Sequence, residues 1–370
     1  MGKLDRLIEE FCPDGVEYKA LSKITKLTAG DRITKAMMTE CGEYPVYGGG
    51  VVPTGYYSEC NFRNSVTISR AGSAGFVNWV ENSFWATDVC FVASQKEKEV
   101  LIKFVFYYLK SKQYNLQTKI YGGNLPKLNK NYLWSFPIPL PPLPVQEEIV
   151  RILDNFTELT AELTAELTAR KKQYEYYRDE LLTFGDEVRR EKLKDIAEIG
   201  TGSSNTNEQI EDGKYPFYVR SQEVRTKNEY EFDETAIITS GDGVGVGKIY
   251  HFVEGKYALH QRAYRIHIVS NEVMPKYYYH YMKTKFLAYI ERTSYHSSVT
   301  SIRRAMLNNF PIPIPPLSEQ ERIVSILDKF DALVNDISIG LPAEIEARQK
   351  QYKYYREKLL SFKELDKKEA

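Results

Sequence analysis

Side chains that grip phosphates and hydrogen-bond to base edges recur beside glycine or aromatic residues in two stretches of the sequence. In the first stretch these candidates for DNA binding are Arg32, Lys35, Arg63, Arg70, Lys119, Tyr121, Asn124 and Lys127. In the second they are Arg220, Gln222, Arg225, His260, Gln261, Arg262, Ser298, Thr300, Ser301, Arg303 and Arg304. The clusters at residues 119–127 and 298–304 rank highest, because both precede proline-rich segments at matching places. The alternative for any one side chain is a solvated surface or a structural role.

A glycine-rich segment, GDGVGVGK at residues 241–248, has some likeness to a nucleotide-binding loop. A P-loop requires glycine five residues before its Gly-Lys pair and serine or threonine after it, but Asp242 and Ile249 stand at those places. A second glycine-rich segment, residues 69–75, occupies the equivalent place in the first stretch. Two interpretations remain open, a structural turn and a turn that contacts DNA, and both are favoured over a nucleotide site.

The residues that usually carry catalysis or hold metals lack the spacing that these functions need. The five histidines and four cysteines form no metal-ligand pattern, and nothing places a nucleophile beside a base. Neither a glycine-rich cofactor signature nor an Asn-Pro-Pro-Tyr type motif of adenine methyltransferases is present. We therefore expect no catalytic residue, no metal and no cofactor on this chain.

The cysteines and the hydropathy pattern indicate a cytoplasmic protein. Cys12, Cys41, Cys60 and Cys90 are scattered rather than paired, which predicts reduced thiols. The N-terminus lacks an apolar run and no stretch approaches 18 consecutive apolar residues. Secretion and membrane insertion are therefore not expected.

Charge is distributed unevenly along a chain whose formal net charge is zero. Residues 17–135 carry +6 and residues 192–309 carry +2, whereas residues 136–191 carry −5. Two relatively basic blocks thus alternate with acidic segments, as expected for phosphate-facing surfaces on a neutral scaffold.

An internal duplication with a period near 174 residues is the strongest signal in the sequence. Residues 136–156 (FPIPLPPLPVQEEIVRILDNF) return at 310–330 (FPIPIPPLSEQERIVSILDKF) with 15 of 21 positions identical. Residues 170–184 return at 348–362 with 10 of 15 identical. Weaker matches join residues 21–24 to 193–196, Gly30 to Gly202, and Tyr44-Pro45 to Tyr215-Pro216. The chain therefore contains one fold twice.

Each copy predicts an extended proline run followed by a long helix. In the first copy Pro144 suits a first helical turn, and in the second Ser318 with Glu321 forms a capping-box pattern. A seam with the spacing 3, 4, 3, 4 runs from Leu153 to Leu181, which is typical of a coiled coil. A helix from Gln146 to Phe184 would span about 58 Å. The distal copy has the same seam, through Leu327, Phe330, Val334, Ile337 and Leu341 and onwards.

Two further features of the helices carry predictions. Gly340-Leu341-Pro342 should kink or split the distal helix, because proline disrupts helix interiors. A tyrosine cluster repeated in both copies favours packing between helices over stacking on bases; its members are Tyr174, Tyr176, Tyr177, Tyr352, Tyr354 and Tyr355. Short strands are expected at residues 66–69 and 237–240, and helices at 104–112 and 277–285.

This order of a globular block, an F-P-I-P-[LI]-P-P-L-x-x-Q-E-x-I-V helix, a second block and the same helix resembles the specificity (S) subunits of type I restriction-modification systems over essentially the whole chain. The resemblance implies that each block is a target-recognition domain for half of a bipartite double-stranded DNA sequence. It implies helices that act as spacers and dock two methyltransferase (M) subunits, with restriction (R) subunits where these exist. S-adenosylmethionine, ATP and Mg²⁺ would then act only on the partner subunits, in DNA methylation and restriction.

The expected architecture is α+β, with two similar target-recognition domains at residues 1–135 and 188–309. They alternate with a central repeat at 136–187 and a distal repeat at 310–370, whose long spacer helices run antiparallel in a pseudo-two-fold arrangement. A small nuclease fused to coiled coils is the alternative enzyme, but it would need clustered acidic metal ligands that the sequence lacks. A purely structural coiled-coil adaptor would leave the two basic blocks without a purpose.

Overall fold

The computed structural model describes residues 2–293, 301–336 and 338–365, and it forms two compact units. The first unit comprises residues 1–163 and 345–370, and the second unit comprises residues 164–344. The boundaries predicted from the sequence separated globular blocks from helical repeats. Each part of the long helices lies within one of the two compact units, and the predicted domain boundaries stay a prediction.

The first unit mixes short helices with short strands. Its elements, in chain order, are α1 (Lys3–Phe11), β1 (Glu17–Ala20), α2 (Leu21–Ile24), β2 (Thr25–Ala29), β3 (Tyr44–Tyr47), β4 (Tyr56–Tyr57), β5 (Ser65–Ser69), β6 (Val77–Val80), β7 (Trp85–Ala86), β8 (Cys90–Gln95), α3 (Ile102–Ser111), α4 (Gln113–Gln117), β9 (Ile120–Tyr121), β10 (Lys127–Leu128), α5 (Lys130–Trp134), β11 (Pro137–Leu140) and the start of α6 (Leu143–Leu181). The strand and helix predicted at 66–69 and 104–112 are thus confirmed.

The second unit repeats that order with longer strands. Its elements are the end of α6, then β12 (Arg190–Lys192), α7 (Leu193–Ile196), β13 (Ala197–Thr201), β14 (Tyr215–Tyr218), β15 (Arg225–Lys227), β16 (Phe232–Ser240), β17 (Tyr250–Leu259), β18 (Ala263–Ile268), α8 (Pro275–Thr293), α9 (Arg304–Asn308), β19 (Pro311–Pro313) and α10 (Leu317–Asn335). A last helix, α11 (Leu341–Leu359), belongs mostly to the first unit. The strand and helix predicted at 237–240 and 277–285 are also confirmed.

The sheets of the two units share one topology. In the first unit one sheet has four strands in the order β2-β8-β5-β6. A second sheet has three strands in the order β4-β3-β7, with β3 parallel to β7. In the second unit six strands are ordered β13-β18-β16-β17-β14-β15, with β14 parallel to β17. The long β17 takes the places of both β6 and β7, so the second sheet is continuous where the first is interrupted.

Each unit is built around a central strand and the helix that packs on it. All five residues of β5 are buried, as are the last five of β16, which is typical of strands covered on both faces. The core of the first unit joins Ile68, Phe104 and Leu153, and that of the second joins Ile237, Tyr277 and Leu327. Leu153 belongs to α6 and Leu327 to α10, so the N-terminal part of each long helix contributes to a globular core.

The proline runs are extended, as predicted, and both are paired with a short strand. β11 lies antiparallel to β1, and β19 antiparallel to β12. After each run, a fully buried glutamine lies in the first turn of the long helix. Gln146 accepts from the Leu101 N–H at 2.8 Å and donates to the Glu99 and Pro141 carbonyls. Gln320 makes the equivalent three bonds, to Met274, Glu272 and Pro315.

The long central helix is present but lies three residues earlier than the predicted span of Gln146 to Phe184. α6 is a single helix of 39 residues with Pro144 in its first turn, and the distal helix is split into α10 and α11 around Gly340 and Pro342. The capping box predicted at Ser318 and Glu321 was wrong. α10 starts at Leu317, its N-cap is Pro316, and no side chain caps it, because the Pro316 carbonyl already accepts from the Glu319 and Gln320 N–H groups.

Aromatic residues of the seam pack between helices inside each unit. In the first unit Phe156 lies 5.5 Å from Tyr355 and 6.4 Å from Tyr352, between ring centroids. In the second unit Phe330 lies 6.2 Å from Tyr174 and 5.9 Å from Tyr177. The prediction of inter-helix packing is therefore confirmed for these four tyrosines. Ile337, which the seam also included, lies outside the described residues.

Two tyrosines of the predicted packing cluster do not join it. Tyr176 and Tyr354 are 65% and 61% exposed, and their ring contacts are edge-on with the next tyrosine in the chain. The reason is helical geometry, since residues two positions apart face in different directions. The prediction was wrong for this pair.

Candidate nucleic-acid interface

In the first unit, the turn after β5 and the β9–β10 hairpin bring several candidate side chains together. The Leu128 N–H donates to the Arg70 carbonyl at 2.8 Å, and Ala71 pairs with Lys127. Across the hairpin Lys127 lies opposite Tyr121, and the Asn129 N–H bonds the Lys119 carbonyl at 3.3 Å. Asn124 lies exposed in the same hairpin turn. The sequence clusters around residues 70 and 119–127 therefore form one surface, called here the first turn cluster.

A glycine loop packs directly against the first turn cluster. A Cβ on Gly49 would lie 2.2 Å from the Ala71 carbonyl oxygen, and the Ser73 N–H donates to the Gly49 carbonyl at 2.7 Å. Only glycine permits that approach. A cavity of about 690 Å³ beside this loop is lined by Lys35, Gly49 and Asp88 among others. Lys35 therefore lies on the same side of the unit as Arg70.

Arg32 and Arg63 are exposed, and Arg63 lies apart from the first turn cluster. Arg63 precedes β5 and Arg70 follows it, so the two are separated by roughly 20 Å at about 3.3 Å per residue. Arg32 follows Asp31, whose carboxylate accepts from Asn61, two residues before Arg63. Ile33, the residue after Arg32, lines the same cavity as Lys35. The neighbours of Arg32 therefore lie beside both Asn61 and that cavity.

The candidate cations of the first unit have no acidic partners. Within residues 2–293, 301–336 and 338–365, no ion pair within 4.0 Å involves the side chains of Arg32, Lys35, Arg63, Arg70, Lys119 or Lys127. The Arg70 guanidinium donates to the backbone carbonyl of Asp88 at 3.3 Å, and Lys119 lies over the Tyr132 ring at 5.9 Å. Their positive charges are therefore available to phosphate groups.

The second unit assembles its candidates around an aspartate. Asp242 accepts from Arg220 at 2.5 Å through one carboxylate oxygen and from Arg262 at 3.3 Å through the other. Its backbone pairs with Ser301, and the Ile302 N–H donates to the Gly241 carbonyl at 2.8 Å. Arg220, Arg262, Ser301 and Asp242 form what we call the second turn cluster. Sequence reasoning missed Asp242, because it searched for groups that attract phosphate.

His260 and Gln261 support the loop that carries Arg262. His260 is 4% exposed, and its Nδ1 accepts from the Arg262 backbone N–H at 3.0 Å. Burial lowers the pKa of His260, and the nearby Arg220 charge lowers it further, so the imidazole is neutral at neutral pH. Gln261 donates from its backbone to the Ser204 carbonyl at 2.9 Å, and its side chain contacts Asn205.

The remaining candidates of the second unit are scattered. Arg225 contacts Gln209 and lies 3.8 Å from Glu223, and Gln222 lines a separate cavity with Lys171. Arg303 is exposed at the N-cap of α9, whereas Arg304 donates to the Ile199 carbonyl at 2.7 Å. Ser298 and Thr300 lie outside the described residues.

The two glycine-rich turns hold equivalent places. Residues 70–76 join β5 to β6, and residues 241–249 join β16 to β17. Each turn contains glycines with left-handed backbone, Gly72 and Gly75 in the first and Gly243 and Gly247 in the second, which explains the need for glycine. In the second turn, the N–H groups of Val246, Lys248 and Ile249 donate to carbonyls inside the turn. Those groups are therefore not arranged to cradle a phosphate chain.

Metal sites and membrane spans were sought in the same residues. Across the described part of the chain, no three His, Cys, Asp or Glu side chains are grouped as metal ligands. No described helix is both long and apolar enough to cross a membrane.

Comparison with known proteins identifies related chains. The Type I restriction modification DNA specificity domain family matches residues 13–170 and again residues 186–347. The chain is 34% identical over 393 residues to a putative type I restriction enzyme specificity subunit of Haemophilus influenzae, covering 97% of this chain and 98% of that one. It is 33% identical over 404 residues to the EcoR124I/EcoR124II specificity subunit of Escherichia coli, covering 98% and 97%.

A solved structure has the same fold. The S subunit of a type I restriction-modification system from M. genitalium superposes with a TM-score of 0.70 at 19% identity, covering 94% of this chain and 96% of that one.

Proposed function

The chain belongs to the type I restriction-modification DNA specificity family, and we propose that its two units recognise the two halves of a bipartite double-stranded DNA target. The observation that carries this proposal is the shared construction of the two turn clusters. The same backbone bond, 2.8 Å in both units, joins Arg70 to Leu128 and Gly241 to Ile302. The same backbone arrangement therefore presents different side chains in the two units, which suits two half-sites of different sequence.

We further propose that the chain acts in the cytoplasm as a scaffold and not as a catalyst. Two M subunits, with R subunits where they exist, would dock on it, and S-adenosylmethionine, ATP and Mg²⁺ would be bound by those partners. The internal hydrogen bonds of the 241–249 turn support this, because they engage the N–H groups of Val246, Lys248 and Ile249, which then do not point at a phosphate. A scaffold of this kind has no need of its own nucleophile or metal.

Reconstitution with the M subunit tests the proposal. The purified chain alone should bind duplex DNA weakly and should transfer no methyl group from S-adenosylmethionine. Together with M it should methylate adenines within one bipartite motif, as mapped genome-wide. Robust methyl transfer by the chain alone, or methylation without a sequence motif, would overturn the proposal.

The spacing of the two half-sites provides a second test, through the repeated sequence LTAELTAELTA at residues 159–169 of α6. One more Thr-Ala-Glu-Leu adds about 6 Å of helix, against about 3.4 Å per base-pair step. These residues favour helix, so α6 should lengthen without breaking. Four extra residues also make a stutter in the heptad seam, which locally unwinds a coiled coil.

The unspecified gap in the methylated motif should therefore grow by one or two base pairs, while both half-sites keep their bases. An unchanged gap, or altered half-site bases at the original gap, would show that α6 does not set the spacing.

A further inference from the structure

We propose that Asp242 is a positioning residue for DNA recognition, which holds Arg220 and Arg262 so that they recognise guanine in the half-site of the second unit. This inference rests on the proposed function of the unit. Asp242 itself would not touch the DNA; it would act through the two guanidinium groups.

The contacts leave both arginines able to bind a base. Arg220 and Arg262 each reach Asp242 through Nη1, and each takes a different carboxylate oxygen. A guanidinium has five N–H donors, so each arginine keeps a second edge. Arginine uses such an edge to bind O6 and N7 of guanine, the commonest specific contact in the major groove. The geometry thus suits recognition of guanine behind a carboxylate that fixes the side chains.

Asp242 is held by its own backbone. The Ser240 hydroxyl donates to the Asp242 carbonyl at 2.8 Å, and the Gly241 N–H donates to the Arg262 carbonyl at 2.9 Å. A Cβ on Gly241 would lie 2.5 Å from that same carbonyl oxygen. The turn is therefore closely packed against the loop that carries Arg262. A fixed carboxylate lowers the entropy that the arginines would otherwise lose on binding.

The two arginine side chains are more exposed than the aspartate side chain, as contact of the arginines with DNA requires. The side chain of Asp242 is 27% exposed, that of Arg220 is 39% exposed and that of Arg262 is 62% exposed. The guanidinium groups are thus more accessible than the carboxylate, which would repel phosphate if it were uncovered. With two cations and one anion, the second turn cluster keeps a net positive charge.

The carboxylate is ionised under the conditions where it must act. Burial opposes ionisation of Asp242, but the Arg220 and Arg262 guanidinium groups more than offset that effect and lower its pKa below the usual value. A charge-assisted bond of this kind is stronger and more directional than a neutral one.

The first unit has no equivalent of this arrangement. The residue that pairs with Lys127 there, in the place of Asp242, is Ala71. Arg70 donates to a backbone carbonyl and not to a carboxylate. Loss of the Asp242 carboxylate should therefore affect one half-site only, which gives the inference an internal control.

Asp242→Asn in the complex reconstituted with M tests the inference, because asparagine preserves the shape but presents an amide NH₂ to one guanidinium. Methylation mapping should show that at least one guanine in one half-site becomes degenerate, while the other half-site and the gap stay unchanged. Non-specific affinity, measured by fluorescence anisotropy, should rise, and its salt slope should steepen by up to ~0.9 for each phosphate that a released arginine contacts. Glu254→Gln removes the same charge from an exposed site on β17 and should change neither.

Arg262→Lys is a second variant that keeps the charge and removes the bidentate edge, so it also serves if Asp242→Asn fails to fold. It should relax a guanine in the same half-site as Asp242→Asn. The inference is overturned if Asp242→Asn methylates the unaltered motif with wild-type stringency, if Glu254→Gln relaxes it equally, or if the half-site altered by Arg262→Lys contains no guanine. A wild-type complex without any sequence motif would instead overturn the proposed function.

Discussion

Among the described residues, the candidate cations of the first unit have no carboxylate within 4.0 Å, whereas the second unit pairs Arg220 and Arg262 with Asp242. The two units have an equivalent pair of turns, so this difference in charge pairing lies in the side chains that the turns carry. Phosphate attraction depends on free charge, and base recognition depends on oriented donors. The comparison suggests that the first unit contributes more of the salt-dependent affinity and the second more of the oriented recognition.

Histidine content also separates the units. All five histidines lie between residues 251 and 296, and three of them are buried with hydrogen-bond partners, His251, His260 and His280. At equivalent places, Tyr107 in the first unit and His280 in the second bond the carboxylates of Asp154 and Asp328. The same contact is therefore made by a tyrosine hydroxyl in the first unit and by an imidazole, whose pKa burial lowers, in the second.

The largest effect should come from a feature that both units share. Replacing Gln146 or Gln320 with leucine removes three buried hydrogen bonds and leaves backbone groups unsatisfied, at a cost of about 3 kcal/mol in either case. Urea denaturation should show similar losses for Gln146→Leu and Gln320→Leu. Gln349→Leu, at an exposed position of α11, should change stability by less than ~0.5 kcal/mol. A large loss of stability for one of these variants and none for the other would show that the two glutamines are not equivalent.

The next largest effect should be a loss of stability in the second unit as the pH falls below about 6.5. Burial lowers the pKa of three histidines, His251, His260 and His280. The Arg220 charge lowers the pKa of His260 further, whereas Asp328 opposes the lowering at His280. Below about pH 6.5 the unfolded chain therefore binds more protons than the folded unit, so protonation favours unfolding by up to ~1.4 kcal/mol per histidine per pH unit. Hydrogen exchange at pH 7.5 and 5.5 should detect this loss in the second unit.

His280 provides the matched variant for that experiment. Its Nε2 lies 2.7 Å from Asp328, while its Nδ1 is buried and has no hydrogen-bond partner among the described residues. His280→Gln keeps a donor for Asp328 and cannot titrate, so it should flatten the pH dependence. An unaltered pH dependence in this variant would assign the effect to His251 and His260.

The first unit should resist this change of pH and respond to stronger acid. Hydrogen bonds from Arg151 and then Lys3 lower the pKa of the Glu148 carboxyl to about 2 against the effect of burial. Its contribution to stability is present above about pH 4.5 and is lost as the pH falls toward 2. All three tryptophans, Trp79, Trp85 and Trp134, belong to the first unit, so their fluorescence follows this unit. Fluorescence-monitored denaturation should be constant between pH 7.5 and 5.5 and decline below about 4.5.

A smaller effect should distinguish how the units bind DNA. Lys119→Ala with Lys127→Ala removes two unpaired charges and should lower the salt slope of DNA binding by ~1.8. Arg220→Ala with Arg262→Ala removes two charges of which one is already neutralised by Asp242, so its slope should fall by only ~0.9 and its base preference should change. Anisotropy titrations at several salt concentrations measure both. Equal slopes for the two double variants would remove the distinction drawn between the units.

The sequence alone predicted the repeated features of the fold. The repeat predicted the proline strands and the long helices, and Gly340 and Pro342 predicted the split of the distal helix, because each depends on local backbone preferences. The repeat also paired the two glycine turns correctly. The convergence of Arg70 with Lys127, or of Arg220 with Asp242, was not predictable, because these residues meet through sheet topology and not through spacing in the chain. An aspartate that orients arginines has no sequence signature beyond its place in a glycine turn.

Tyr176 and Tyr354 should give the smallest effect, and they test the place where the repeated tyrosine motif led to a wrong prediction. Tyr176→Ser and Tyr354→Ser remove side chains that are 65% and 61% exposed, so each should change stability by less than ~0.5 kcal/mol. Tyr174→Ser instead removes a ring that is 6% exposed and packed near Phe330, and should cost about 3 kcal/mol. Since the motif is the same in both repeats, the exposed position should be neutral in both units. A loss above 1 kcal/mol at Tyr176 or Tyr354 in the isolated chain would mean that the ring is covered in solution, whereas a loss of M binding with unchanged stability would place a partner subunit on that face.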